Sequence, residues 1–129
     1  MPGRKEEDSV IQNFKAELFK ALANPSRIRI LELLRAGELT VTELQSELDM
    51  EPSSVSQQLG VLRGRQLVVG RKEGTSVYYR VTNPQVFALL DTARSLFELH
   101  LGSLQAMADS DPAVGIPGNV IESAENPAV

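Results

Sequence analysis

Residues 40–66 read TVTELQSELDMEPSSVSQQLGVLRGRQ, two short helical patterns separated by a three-residue break. Thr40 and Glu43 supply the T-x-x-E of a capping box, and Val41, Leu44 and Leu48 fall on one face behind it. The break is Asp49-Met50-Glu51, and Pro52 after it suits the first position of a new helix, where a missing N–H costs nothing. In that second helix Val55, Leu59 and Leu62 recur at i, i+4 and i+7, so one stripe faces a core. A short helix, a tight turn and a second one-faced helix form the helix-turn-helix pattern.

Downstream, the period changes from helical to extended. Leu67-Val68-Val69 and Val77-Tyr78-Tyr79-Arg80-Val81 are rich in β-branched and aromatic residues. Gly70-Arg71-Lys72-Glu73-Gly74-Thr75-Ser76 lies between them as a loop, with Gly74 suited to a positive φ. A two-stranded hairpin with a basic tip, directly after a helix-turn-helix, is a wing. Upstream, Ser9 and Gln12 can cap a helix over residues 9–23 that carries Val10, Phe14 and Leu18. Asn24-Pro25 restarts the chain, and Ile28, Ile30, Leu31, Leu33 and Leu34 make a second, strongly apolar helix ending near Gly37.

A last helix is predicted over 84–108. Val86, Leu90, Ala93, Phe97, His100, Leu104 and Met107 follow one another there in alternating steps of four and three, the pattern of a helix-pairing seam. The chain therefore reads as mainly α with a small β-hairpin (α+β), with five helices and a two-stranded wing. Residues 9–108 form one winged helix-turn-helix domain, and its terminal helices, 9–23 and 84–108, serve dimerisation. Residues 1–8 are expected to be a flexible N-terminus and 109–129 a disordered acidic tail, with three prolines, two glycines and four acids but no base.

A net charge of −4 over 129 residues argues against nucleic-acid binding until its distribution is read. Residues 52–82 hold Arg63, Arg65, Arg71, Lys72 and Arg80 against Glu73 alone, a local +4, while the remainder carries −8. With no cysteine, no apolar run of membrane length and no signal-peptide pattern near Met1, the expected compartment is the cytoplasm. Turning Val55, Leu59 and Leu62 inward turns Ser53, Ser54 and Gln57 outward, with Ser56, Gln58, Arg63 and Arg65 on the flanks. Hydroxyls at a helix start accompany N–H groups in binding phosphate, and glutamine amides read base edges, adenine best. Arg71, Lys72, Thr75 and Ser76 on the wing suit phosphate or minor-groove contacts. Taken alone, this helix reads equally well as a solvated polar surface. The turn before it and the basic hairpin after it favour DNA.

Two stretches carry a family resemblance. Phe19-Lys20-Ala21-Leu22-Ala23-Asn24-Pro25-Ser26-Arg27-Ile28-Arg29-Ile30-Leu31 is similar to the pattern L-A-[DN]-P-x-R-x-x-I-L. Ser53-Ser54-Val55-Ser56-Gln57-Gln58-Leu59-Gly60-Val61-Leu62 is similar to S-x-x-S-x-H-L-x-x-L. Both patterns belong to the ArsR/SmtB family of bacterial winged-helix repressors, and residues 10–108 resemble it in order and spacing. The resemblance implies a homodimer joined through its first and last helices, with Phe14 and Leu18 on one and the seam from Val86 to Met107 on the other. It also implies binding to an inverted repeat in the chain's own promoter. Gln58 stands where the family usually has His, Gln66 where Gly usually ends the recognition helix, and Gly60 where a basic residue is frequent. The family's cysteine metal site, E-L-C-V-C-D-L, is matched by Glu38-Leu39-Thr40-Val41-Thr42-Glu43-Leu44, and hydroxyls in place of thiolates exclude soft-metal sensing there. The family's D-x-H with a later H-x-x-E is matched from Asp91 by Ala93, Leu104 and Met107, so that site is missing as well.

His100, the sole histidine, leaves three roles open: a satisfied interface residue, a pH-sensitive contact, or a weak ligand for nickel, cobalt or zinc. The competing functional readings are a winged-helix module regulated through a partner protein and a metal sensor with atypical N/O ligands. An effector, if the regulator uses one, is a small molecule, a metal or a protein. An enzyme is excluded by the lack of cysteine, of a placed histidine and of any phosphate-cradling motif.

Overall fold

Capping chemistry sets most of the helix boundaries. The computed structural model describes residues 3–110 and divides at Pro84–Gln85 into two units. In the first unit, α1 (Arg4–Leu22) precedes α2 (Pro25–Leu33), where Asn24 Oδ1 accepts from the Arg27 N–H at 3.1 Å and Pro25 opens the helix. A 3₁₀ turn at Leu34–Ala36 follows, then β1 (Leu39–Thr40), α3 (Val41–Leu48), α4 (Pro52–Gly64), β2 (Val68–Glu73) and β3 (Ser76–Val81). The second unit is α5 (Gln85–Ser110). The core of the first unit centres on Ile30, Leu31, Leu44, Val55, Leu59, Leu62 and Val68, all essentially inaccessible. Burying each such side chain contributes roughly 1.5–3 kcal/mol relative to exposure, before entropy is counted. Among the described residues no helix is long and apolar enough to cross a membrane.

The capping box at α3 forms in both directions. Thr40 Oγ1 accepts from the Glu43 N–H at 3.2 Å, and Glu43 Oε1 accepts from the Thr40 N–H at 3.0 Å. Asp49 ends α3 in the left-handed region, φ 54°, a conformation that Asp tolerates better than most residues. The end of α4 is a Schellman motif: the Leu67 N–H donates to Leu62 O at 2.9 Å and the Gln66 N–H to Arg63 O at 2.9 Å. Its left-handed residue is Gln66, φ 60°, a glutamine in a glycine's conformation.

Four boundaries differ from the sequence reading. Helix α1 begins at Arg4 rather than Ser9, so most of the N-terminus expected to be flexible is helical; Gly3 caps it through its carbonyl, and Glu6 and Glu7 complement the helix dipole. The sheet has three strands, not two, in the order β1-β3-β2, because Leu39 and Thr40 pair with Tyr79 and Tyr78. Two residues are too short to show any alternation. In the wing, Gly70–Glu73 belong to β2 rather than to a loop, and the turn is Gly74-Thr75 alone, with Gly74 at φ 63°. Gly70 pairs with Tyr79, and a Cβ there would come within 2.8 Å of Val77 Cγ1, so it is a notch in a strand. Finally, α5 continues to Ser110, which takes Asp109 and Ser110 out of the expected tail; residues 111–129 lie outside the described residues.

Candidate nucleic-acid interface

Helix α4 buries Val55, Leu59 and Leu62 and leaves its other faces to solvent. Ser53, Ser56 and Gln57 are exposed, Ser54 and Gln58 half-buried, and no acid occurs from Pro52 to Gly64. Such a face presents hydroxyls and an amide with no repulsive charge, as contact with a phosphate-lined groove requires. The last turn of the helix carries Arg63, exposed and, among the described residues, not paired with a carboxylate.

Three of the residues picked from sequence as DNA contacts are engaged within the protein. Arg65 Nη2 pairs with Glu17 Oε2 at 2.5 Å, tying the end of α4 to α1. Gln58 Oε1 accepts from Arg27 Nη1 at 2.8 Å. Arg71 is held by two carboxylates, Glu38 at 3.0 and 3.1 Å and Glu73 at 2.6 Å, and its guanidinium lies 5.0 Å from the centre of the Tyr78 ring. Hydrogen bonds from Arg71 hold the Glu38 carboxyl below its ordinary value, and the two carboxylates raise Arg71 further above an already high one. Arg71 and Glu73 are exposed and Glu38 is half-buried, so water and salt still reach these pairs and weaken them, and a phosphate can replace a carboxylate as Arg71's partner. Lys72, by contrast, is exposed and pairs with no carboxylate among the described residues, beside Thr75 at the turn and the half-buried Ser76.

Sequence reasoning missed the role of Arg27. Besides Gln58, it reaches back to the end of α1, donating from Nε to Ala21 O at 2.6 Å and from Nη2 to Lys20 O at 3.3 Å. One guanidinium thus bonds Ala21 O and joins the Ala23 N–H at Lys20 O, at the helix end where positive charge is favoured, and braces α4. The signal was present in the Asn24-Pro25-Ser26-Arg27 motif but carried no geometry until α1 and α4 were placed.

The residues expected at a dimer interface divide into two groups. Val86 and Leu90, in the first turns of α5, are buried, and the other seam residues are more accessible. A seven-residue repeat read from sequence does not tell its buried positions from its exposed ones. On α5, Ala93, Phe97, His100 and Met107 are exposed and Leu104 is half-buried, with Leu96 and Leu99 adding exposed apolar area. On α1, Val10, Ile11 and Phe14 are exposed and Leu18 half-buried. Among the described residues no three His, Asp or Glu side chains gather as metal donors would.

Comparison with known proteins bears on the family and the fold. Residues 24–68, from the cap of α2 to the start of β2, match the family described as bacterial regulatory protein, arsR family. The chain is 40% identical over 110 residues to Rv0081, an HTH-type transcriptional regulator of Mycobacterium tuberculosis, covering 84% of this chain and 96% of that one. Its crystal structure superposes with a TM-score of 0.67 over 72% of this chain and 94% of that one. NmtR, another HTH-type transcriptional regulator of M. tuberculosis, is 46% identical over 101 residues, covering 78% of this chain and 81% of that one. The solution structure of a homodimeric winged helix-turn-helix DNA-binding domain, Mb0332 from Mycobacterium bovis, is 33% identical with a TM-score of 0.70, over 78% of this chain and 94% of that one.

Proposed function

The chain belongs to the ArsR family of bacterial regulatory proteins, and from that premise we propose that it represses transcription as a homodimer seated on an inverted-repeat operator. It is a DNA-binding transcriptional regulator and not an enzyme. The observation that carries the reading is the outer surface of α4: Ser53, Ser56 and Gln57 exposed on an acid-free helix, in a chain whose positive charge is concentrated between residues 52 and 82. Dimerisation is supported by the exposed apolar residues of α1 and of α5, which a lone chain leaves in water. It is supported as well by the homodimeric relative. A two-fold axis would set two copies of α4 about one DNA turn apart, roughly 34–36 Å, and the half-sites would share that spacing.

We assign the protein to the cytoplasm, where its operator lies. Its signal would come from a small molecule, a partner protein or a metal bound through nitrogen and oxygen. Thiolate sensing is excluded by the absence of cysteine. His100 remains the candidate ligand for nickel, cobalt or zinc, and binding through one imidazole per chain would be weak. A mobility-shift titration on DNA upstream of the chain's own gene, repeated between 50 and 200 mM salt and followed by footprinting, tests the central reading. The expected result is a steep loss of affinity with salt and protection of two related half-sites. Salt-independent binding, or a footprint without two-fold symmetry, would refute it.

A further inference from the structure

Gln58 lies on the flank of α4, half-buried, next to the exposed Gln57. Its amide is the one on this helix whose orientation is chemically determined. Arg27 Nη1 donates to Gln58 Oε1 at 2.8 Å, and a guanidinium has only donors, so the reverse orientation would set an NH₂ group against a cation. Arg27 itself cannot swing to accommodate a flip, because its Nε and Nη2 are committed to Ala21 O and Lys20 O. The Gln58 oxygen is therefore held toward α2, and its NH₂ group is the part left to offer elsewhere.

We propose that Gln58 is a specificity-determining residue with fixed hydrogen-bond polarity, presenting donors alone to the major groove and so selecting guanine over adenine. Adenine is read by glutamine through two bonds of opposite sense: the oxygen accepts from N6 and the nitrogen donates to N7. With the oxygen facing Arg27, an adenine amino group would be a second donor crowding toward a cation. Guanine offers N7 and O6, both acceptors, which a pure donor can serve; thymine O4 offers one. For Gln57 no such partner exists among the described residues, so it keeps both polarities and the usual adenine preference. Two adjacent glutamines would then read different bases because an arginine from another helix touches only one of them. The inference rests on the DNA-binding reading above.

The test is selection of bound sequences from a randomised duplex pool by the full chain and its variants. The wild type should enrich guanine at one position per half-site, and Gln58→Met should cut that preference from about tenfold to within about twofold, the scale of one base contact. Gln58→Glu keeps an acceptor for Arg27 but loses the donor, so the same position should turn from guanine toward cytosine. Arg27→Met frees the oxygen and should move the position toward adenine; Gln58→Glu carries the test if Arg27→Met does not fold. Adenine at the position in the wild type, or an unchanged preference in Gln58→Met, would overturn the proposal while leaving an enriched inverted repeat to uphold DNA binding. Failure of the wild type to enrich any sequence would instead refute DNA binding itself.

Discussion

Replacing Gln66 by glycine should stabilise this protein, and the structure allows the size of the gain to be worked out. Gln66 sits at φ 60° in the Schellman motif that ends α4, where a residue with a Cβ is strained by roughly 1–2 kcal/mol. Glycine removes that strain but adds freedom to the unfolded chain, a cost of about 0.5–1 kcal/mol. The Gln66 side chain is exposed, and the bond that Thr82 Oγ1 donates at 2.7 Å goes to the Gln66 backbone carbonyl, which glycine retains. The net gain is then about 0.5–1 kcal/mol, or a rise of roughly 2–8 °C in Tm for a domain of this size. Thermal unfolding by circular dichroism measures it, at one fixed protomer concentration because self-association shifts Tm. Asp49→Gly is the internal control: it has a similar φ, 54°, but Asp tolerates the left-handed region, so its gain should be smaller. A lower Tm for Gln66→Gly, or a larger gain for Asp49→Gly, would refute the account of both positions.

The other predictions concern function. Glu38→Gln releases one of the two carboxylates holding Arg71, and operator affinity at low salt should rise severalfold; unchanged affinity in a gel-shift titration would show that Arg71 does not meet phosphate. Because Arg71 holds the Glu38 carboxyl below its ordinary value of 4.5, that pair is intact above this pH and is lost only as pH falls through the depressed value. Arg71 side-chain NMR signals should therefore stay constant from pH 8 to pH 5, and a transition inside that window would contradict the pairing. Gln57→Ala should cost about 1–3 kcal/mol in operator binding and relax preference at one base position, measured by competition with single-base variants. Phe97→Glu places a charge beside Leu96 and Leu99 and should give monomers in sedimentation velocity; an unchanged dimer would remove this face of α5 from the interface.

Much of this architecture is written in local rules. Thr40 with Glu43, Asn24 with Pro25, and Pro52 each fix a helix start through a donor or φ angle internal to a few residues, and the 3.6-residue period of Val55, Leu59 and Leu62 gives the buried face. Ser53 and Gln57 of α4 followed from that period directly, whereas Ser54, which the period turns outward, is half-buried and Ser56, which it sets on the flank, is exposed. What sequence could not supply is pairing over distance. Arg27 and Gln58 are 31 residues apart, Arg71 and Glu38 are 33, and Arg65 and Glu17 are 48, so three polar residues that looked available for DNA prove to have partners. Strand β1 was invisible because its two residues gain their identity only from Tyr78 and Tyr79 opposite. Val86 and Leu90 fit the seam of α5 as well as the exposed residues do; periodicity identifies a face but not what covers it.

Thr40 is at once the last residue of β1 and the cap of α3. A strand paired with β3 and the first helix of the DNA-reading motif thus share a single amino acid, with no joint between them. Pulling on the wing would be felt at the Glu43 N–H, and melting the first turn of α3 would take away the partner of Tyr78 and Tyr79. In hydrogen-exchange terms, the first turn of α3 and the β1–β3 ladder should open together as one cooperative unit, with a common protection that tracks every change made to either.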